Sequence, residues 1–182
     1  MKKNGFTLIE LIVSIAIISM VTGLFLANYS SANRRTDLTM TAQKMVADIR
    51  LAQSYALGLA RYGSSSSLNI PAGGWGVHFD LPNYGNNKYN IFADDDANTL
   101  YGSGEADERF GAQVVNLPTN ITIQSISVGP KVDITFLPPD PRTTINNGTA
   151  TSTSVDIVLS DARTNSIKTV RVNFLGLVEV IN

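Results

Sequence analysis

One carboxylate, Glu10, lies inside an apolar run that extends from Phe6 to Leu26 and contains no other charged side chain. A carboxylate at the centre of a membrane helix costs about 2.5–3.5 kcal/mol, so an acid in such a segment usually has a specific partner. Cleavage of the chain after Gly5 would create that partner, because the new α-amino group of Phe6 would lie about one helical turn from Glu10. The positions of Gly5, Phe6 and Glu10 therefore predict processing between Gly5 and Phe6 and an amine–carboxylate pair.

Oxygen-bearing side chains recur in the middle of the chain at the intervals of a calcium-binding loop. Asp94, Asp96, Asn98 and Glu105 occupy positions one, three, five and twelve of such a loop, and hard oxygen ligands at this spacing suit calcium. Thr99 stands where an EF-hand loop needs glycine, and no helix is predicted before Asp94. The spacing predicts a structural calcium site, and the alternative is an acidic loop that only faces solvent.

The composition argues against an enzyme. The chain has 182 residues, no cysteine and one histidine, which excludes disulfides, thiolate zinc sites and a histidine-based metal cluster. That histidine, His78, alternates with Trp75, Val77 and Phe79 and is predicted to be a solvated strand residue. The sequence contains no nucleophile elbow, phosphate-binding glycine loop or H-E-x-x-H motif. We therefore expect a protein without catalytic activity and without a cofactor other than the predicted calcium.

Residues from Leu8 to Leu26 are apolar enough to cross a bilayer core, which takes about 20 residues of helix. Lys2 and Lys3 precede this span, and a short basic leader is expected to stay cytoplasmic, so the rest of the chain would lie outside the cytoplasm. The alternative is a secretory signal cleaved after Ser30-Ser31-Ala32, but an internal acid and a long apolar run are unusual in signals. The net charge of −1 does not favour capture of nucleic acid.

A single long helix is predicted from Phe6 to Tyr62, because this stretch contains no proline. Gly23 and the polar residues from Asn28 to Asn33 lower helix propensity, which predicts a bend or an unwound turn there. Apolar residues in the second half recur at alternating spacings of four and three, the pattern of a helix with one buried stripe. The stripe consists of Leu38, Ala42, Met45, Ile49, Ala52, Ala56 and Leu59.

The remainder of the chain is predicted to form short strands separated by turns. Period-two alternation and short apolar runs predict strands at 75–79, 89–93, 112–117, 121–128, 132–137, 155–159, 167–174 and 177–181. Gly63 and Ser64–Ser67 predict a flexible connection. The prolines at 138, 139 and 141 predict an extended, solvent-facing loop through the Asn147-Gly148 turn, within a surface loop from Pro138 to Thr153. Short gaps favour antiparallel hairpins. We therefore expect an α+β fold in which an antiparallel sheet packs on the helix stripe.

The segment from Lys2 to Glu10, KKNGFTLIE, resembles the leader and cleavage site of type IV prepilins and type II secretion pseudopilins. Further along, the order of Ala60-Arg61, Gly74-Trp75-Gly76-Val77 and Gly176-Leu177-Val178 is similar to that of the pseudopilin H and FimT-like minor pilin group. The resemblance implies a pilin-like fold with a leader at 1–5, a transmembrane and filament-core helix at 6–33, and an extracytoplasmic domain at 34–182. Within that domain it implies an amphipathic helix at 34–62 and a β-rich part at 68–182.

The resemblance also implies a function. A prepilin peptidase would cut between Gly5 and Phe6 and methylate the new amine of Phe6, and Glu10 would be neutralised by the Phe6 amine of a neighbouring subunit. The product would move from the inner membrane into a type IV pilus or a type II secretion pseudopilus. The implied partners are the prepilin peptidase, other pilin or pseudopilin subunits, the inner-membrane assembly platform, and membrane lipid before assembly.

Two positions depart from the common pilin pattern, and they bear on the role within a filament. Ser19 and Ala27 stand where the family commonly has glycine and proline, and the disulfide of many pilins is absent. These departures favour a minor subunit. Two alternatives stay open: a module at a filament tip that serves adhesion or DNA uptake, and a single-span membrane protein unrelated to filaments.

Overall fold

The computed structural model describes residues 7–64, 67–102, 113–138 and 142–181, and it begins with one long helix, α1 (Leu8–Leu57). Thr7 is the N-cap of α1, and its side-chain oxygen accepts a hydrogen bond from the backbone N–H of Glu10. The helix continues without interruption through Gly23 and residues 28–33, so the predicted unwound turn is not present.

The C-terminal end of α1 lies earlier than predicted. Gly58 caps the helix by donating its N–H to the carbonyl of Ser54 over 2.8 Å, and Leu59 then adopts a left-handed φ of 50°. Because a residue in the left-handed conformation ends the α-helical backbone, α1 does not continue to Tyr62. The first six residues of the predicted stripe are buried, whereas Leu59 is half exposed because it lies beyond the helix.

Twelve strands and a short second helix follow α1 in the described residues. The first group comprises β1 (Tyr62–Ser64), β2 (Ser67–Asn69), β3 (Gly74–Asp80), α2 (Leu81–Tyr84), β4 (Lys88–Asp94) and β5 (Gln113–Asn116). The second comprises β6 (Ile121–Ile126), β7 (Lys131–Leu137), β8 (Arg142–Asn146), β9 (Thr151–Ser152), β10 (Ser154–Asp161), β11 (Ser166–Asn173) and β12 (Val178–Ile181). The predicted strand positions are confirmed within a few residues, except that Ala112 lies outside the described residues.

The described strands form three antiparallel groups rather than the single sheet predicted. A six-stranded sheet has the order β5-β4-β3-β7-β8-β9, a four-stranded sheet has the order β12-β11-β10-β6, and β1 pairs with β2. The second half of α1 packs on both larger sheets, where it contacts β3, β4 and β7 of one and β10, β11 and β12 of the other. The fold is therefore α+β and pilin-like, with a long helix packed on antiparallel sheets.

Two segments predicted as loops contain strands. The segment from Pro138 to Thr153 forms β8 and β9, because Thr143 and Ile145 alternate with more exposed residues and bury their side chains against the core. The Gly63 and Ser64–Ser67 connection contributes to the β1–β2 pair, in which Tyr62 is buried. Pro138 directly follows the end of β7, and the chain returns as β8, the next strand of the same sheet.

Candidate functional site

The N-terminal end of α1 places Glu10 in a local hydrogen-bond cluster. The backbone N–H of Glu10 donates to Thr7 Oγ1 at 3.4 Å, and the Thr7 hydroxyl lies 3.4 Å from Glu10 Oε2. Ser14 donates its hydroxyl to the carbonyl of Glu10 at 2.7 Å. Threonine at the N-cap and glutamate three residues later is the capping-box pattern, which satisfies donors at a helix start. The sequence analysis missed this role, although T-L-I-E ahead of an apolar run is its signature.

The segment that carries Glu10 has no packing partner in the chain. Among the described residues, one helix is long and apolar enough to cross a membrane, from Leu8 to Leu26, with a mean hydropathy of 2.4 and none of its window buried. Its large apolar side chains are all about half exposed or more. The described residues offer Glu10 no ion-pair partner, and Gly5 and Phe6 lie outside them. The surface around Glu10 is thus available for lipid or for other helices.

Three residues of the predicted calcium loop, Asp94, Asp96 and Asn98, lie close together at the end of β4. Asp94 is buried, and its Oδ2 accepts a hydrogen bond from the N–H of Thr99 at 2.9 Å. Asp96 accepts from the backbone N–H and the side-chain amide of Asn98 at 3.1 and 2.6 Å, and Asn98 Oδ1 accepts from Leu100 N–H at 2.7 Å. Burial of Asp94 corrects the alternative in which all these acids only face solvent.

Burial and a neighbouring carboxylate both disfavour the charged form of Asp94. Burial raises the pKa of Asp94 to about 6, the nearby Asp96 adds to the rise, and the Thr99 N–H opposes it. Thr99 has a left-handed φ of 64°, the conformation that glycine would adopt most easily at this position of a calcium loop. No cluster of three or more histidine, aspartate or glutamate side chains able to hold a metal occurs among the described residues, and Glu105 lies outside them. Calcium binding stays a prediction.

The prediction that His78 is solvated is wrong. His78 is 2% exposed, and its Nδ1 lies 2.6 Å from Oδ1 of the fully buried Asp133 on the neighbouring strand β7. The Tyr101 ring lies 4.6 Å from the imidazole and the Tyr84 ring lies 5.4 Å from it, so side chains from α2 and from the segment after β4 cover this face of the sheet. The period-two alternation correctly placed His78 on the face of β3 opposite Val77. It could not show that other side chains bury this second face too.

The pair of His78 and Asp133 resembles part of a catalytic triad but has no exposed reaction partner in the described residues. His78 Nε2 makes no hydrogen bond there and lies 4.0 Å from Asp80 Oδ2. Both side chains of the pair are enclosed, whereas a nucleophile and base must reach a substrate. The arrangement can hold the sheet and its covering loop together, and an aspartate set among the apolar residues of β7 was the signal that could have revealed it.

Comparison with known families gives two matches. Residues 1–26 match the family described as Prokaryotic N-terminal methylation motif, and residues 41–176 match the family described as Type II transport protein GspH. No curated protein and no solved structure matches the chain. The first match covers the apolar helix and Glu10, and together they indicate a membrane-anchored, single-pass protein. Because the second match covers well over half of the chain, the protein belongs to the family of type II transport protein GspH, a pseudopilin with a prepilin-type N-terminus.

Proposed function

We propose that this chain is a structural subunit of a type II secretion pseudopilus or a type IV pilus, with no catalytic activity of its own. The observation that carries the proposal is the position of Glu10 at the start of an exposed apolar helix that continues directly into the β-rich domain. An unpaired carboxylate in hydrocarbon is costly, so a subunit that supplies an amine to Glu10 is favoured over one in the wrong register.

In this proposal a prepilin peptidase cuts between Gly5 and Phe6 and methylates the amine of Phe6. The product is a single-pass protein of the inner membrane with its domain outside the cytoplasm, and the assembly platform transfers it into the filament. There the Phe6 amine of a neighbouring subunit neutralises Glu10 while the apolar helix faces pack together. The prepilin motif at residues 1–26 and the GspH match at residues 41–176 support this sequence of events.

The departures at Ser19 and Ala27 support a minor subunit, present in fewer copies than the main subunit of its filament. Quantitative mass spectrometry of isolated filaments would give this ratio. Immunogold labelling confined to filament ends would instead favour a binding module at the tip.

The mass of the mature protein tests the core of the proposal. A peptidase-positive cell should yield a chain that begins at Phe6 and carries a methyl group, and a peptidase-deficient cell should yield the chain with Met1 to Gly5 retained. A mature N-terminus at Asn33 would show that the apolar segment is a cleaved secretory signal. Retention of the leader in the peptidase-positive cell would favour a membrane protein unrelated to filaments.

A further inference from the structure

The strand β12 forms one edge of the four-stranded sheet, and the described residues place no further strand beside it. At the opposite edge, β6 is contacted by the segment before β4, because the N–H of Ile123 donates to the carbonyl of Asn86 over 2.7 Å. The residues of β12, Val178–Ile181, include neither proline nor lysine, which are common protections of a sheet edge. β12 is therefore an edge at which another extended chain can pair.

The pairing of β12 with β11 shows which main-chain groups of β12 lie on its outer side. The carbonyl of Leu177 accepts from the N–H of Asn173 at 3.1 Å, so Leu177 faces β11. Successive residues of an antiparallel strand direct their N–H and C=O groups alternately toward and away from one neighbour. Val178 and Val180 therefore direct theirs away from β11. Of these four groups, only the Val178 carbonyl is bonded to another described residue, Arg50 of α1, which donates to it over 3.0 Å.

A groove runs between β12 and α1, and we call it the β12 groove. It has a volume of about 670 Å³ and is lined mainly by apolar atoms. Val46, Ala47 and Leu51 of α1 form one wall, and Val178 and Val180 contribute to the other. Neighbouring strands lie about 4.8 Å apart, and their side chains alternate between the two faces of the sheet. A strand added to β12 would therefore lie along this groove and direct every second side chain toward the apolar wall of α1.

Arg50 gives the β12 groove a positive charge. Its side chain is exposed and makes no ion pair with another described residue. Glu179 also lines the groove, but it lies directly opposite Arg171 on β11. A strand that pairs with Val178 would take over the carbonyl that Arg50 now binds and leave the guanidinium free for a carboxylate. Charge complementarity therefore favours an acidic residue in the added strand.

We propose that an extended segment of a different subunit of the filament adds to β12 as a further strand. The segment has apolar side chains at alternate positions, which face α1, and an acidic residue beside Arg50. The inference rests on the proposed function. The occupant is a different subunit because a minor subunit, present in few copies, has mainly other chains as neighbours. In strand addition, main-chain hydrogen bonds supply affinity and the alternate side chains supply specificity.

Amide hydrogen exchange tests this pairing without any substitution. Exchange would be measured by mass spectrometry in the isolated full chain in detergent and in filaments that contain the same tagged chain. We expect the N–H groups of Val178 and Val180 to exchange at least about tenfold more slowly in the filament, because they gain hydrogen-bond partners there. The N–H of Ile123 is the internal control, since it is bonded within the chain already. Equal exchange of Val178 and Val180 in the two samples would overturn the proposal.

Proline at position 180 tests the same pairing in cells. Val180→Pro removes an N–H that is directed away from β11, and an edge strand tolerates proline at such a position. Val180→Thr is the matched control, because it keeps the N–H and a branched side chain. Both variants should be processed at Gly5 and unfold at similar denaturant concentrations, whereas Val180→Pro should enter filaments at least about tenfold less often than Val180→Thr. Equal incorporation of the two folded variants would contradict strand addition.

Cross-linking identifies the occupant, since the natural chain contains no cysteine. Glu179→Cys would be labelled with a maleimide-linked benzophenone in isolated filaments, and the joined segment would be identified by mass spectrometry. We expect a segment of another filament subunit with alternating apolar residues and an acid. Cross-links confined to a second, differently tagged copy or to a protein outside the filament would overturn the proposal. If the chain is processed and enters filaments without protection of β12, the subunit role stands and strand addition fails. If it is neither processed nor found in filaments, both proposals fail.

Discussion

The backbone N–H of Glu10 donates to the hydroxyl oxygen of Thr7, so the residue proposed to dock a neighbouring subunit is also part of the cap of its own helix. These two roles depend on different properties of the side chain. The capping box accepts glutamate or glutamine at this position, whereas pairing with an amine requires the negative charge. One substitution can therefore separate them.

Glu10→Gln should keep the start of α1 and lose assembly. The variant should insert in the membrane and be cut at Gly5 as the natural chain is, while its incorporation into filaments falls by about tenfold or more, since loss of about 1.4 kcal/mol already has that effect. Glu10→Val should also insert and lose assembly, but it removes the capping-box side chain as well as the charge. Thr7→Ala is the control, because it removes the cap, worth about 1 kcal/mol, and leaves the charge. Incorporation of Glu10→Gln at the natural level, measured by immunoblot of sheared filaments, would refute the charge-based role.

The buried pair of His78 and Asp133 should be energetically coupled. Asp133→Leu leaves His78 without its partner at 2.6 Å and should lower the free energy of unfolding by about 3 kcal/mol or more. The double variant with His78→Leu should cost clearly less than the sum of the two single changes. Denaturant unfolding of the full chain in detergent measures all three. Strictly additive losses would mean that the two side chains act independently.

The cross-strand pair of Arg171 and Asp156 should give a pH-dependent contribution to stability. Arg171 Nε and a second guanidinium nitrogen contact the two carboxylate oxygens at 2.7 Å each, and this lowers the pKa of Asp156. Because the folded pKa lies below the unfolded one, the contribution is complete above the unfolded pKa and is lost as pH falls through the folded pKa. Arg171→Gln should therefore cause a small loss of stability at neutral pH, of the size typical for exposed pairs, and none in strong acid.

Thermal unfolding of the Arg171→Gln variant at a series of pH values checks this prediction. Arg61→Gln is a suitable control, because it removes an exposed arginine that lies in no described ion pair. A loss that persists unchanged in strong acid would point to packing of the arginine stem rather than to its charge.

Calcium binding by the loop after β4 can be tested with the full chain in detergent. Calcium would relieve the repulsion between Asp94 and Asp96, so millimolar calcium should raise the Tm and give a calorimetric signal. Asp96→Asn should reduce both effects, and Glu179→Gln, which changes an exposed carboxylate on β12, should leave them intact. Absence of heat and of any thermal shift with the natural chain would end the calcium prediction.

The sequence predicted the elements whose pattern is local. The stripe from Leu38 to Ala56 and the alternation around Val77 each specify one buried face, and the structure confirms both. The end of α1 was misplaced because a single left-handed residue, Leu59, terminates the helix, and leucine carries no signal for that conformation. His78 was misjudged for a different reason: a loop distant in sequence covers the second face of its sheet.

In the candidate site, too, the features with a local sequence pattern were predicted and those that depend on residues distant in sequence were not. Glu10 could be identified from the sequence because a charge in an apolar run is a local anomaly. The enclosure of His78 could not, since Asp133 on β7 and Tyr101 after β4 are far from it in sequence and contact the imidazole only in the folded sheet. Contacts between residues distant in sequence depend on the tertiary arrangement and leave no periodic pattern in the sequence.

The continuity of α1 from Leu8 to Leu57 fixes the azimuth of the domain around its own anchor. A helix turns by about 100° for each residue, so the buried stripe from Leu38 to Ala56 determines which side of the apolar half faces away from the domain. Because no unwound turn separates the two halves of α1, a rotation of the anchor about the helix axis also rotates the domain. The number of residues between Glu10 and Leu38 therefore sets the direction, around the helix axis, in which each subunit presents the surfaces of its domain relative to Glu10.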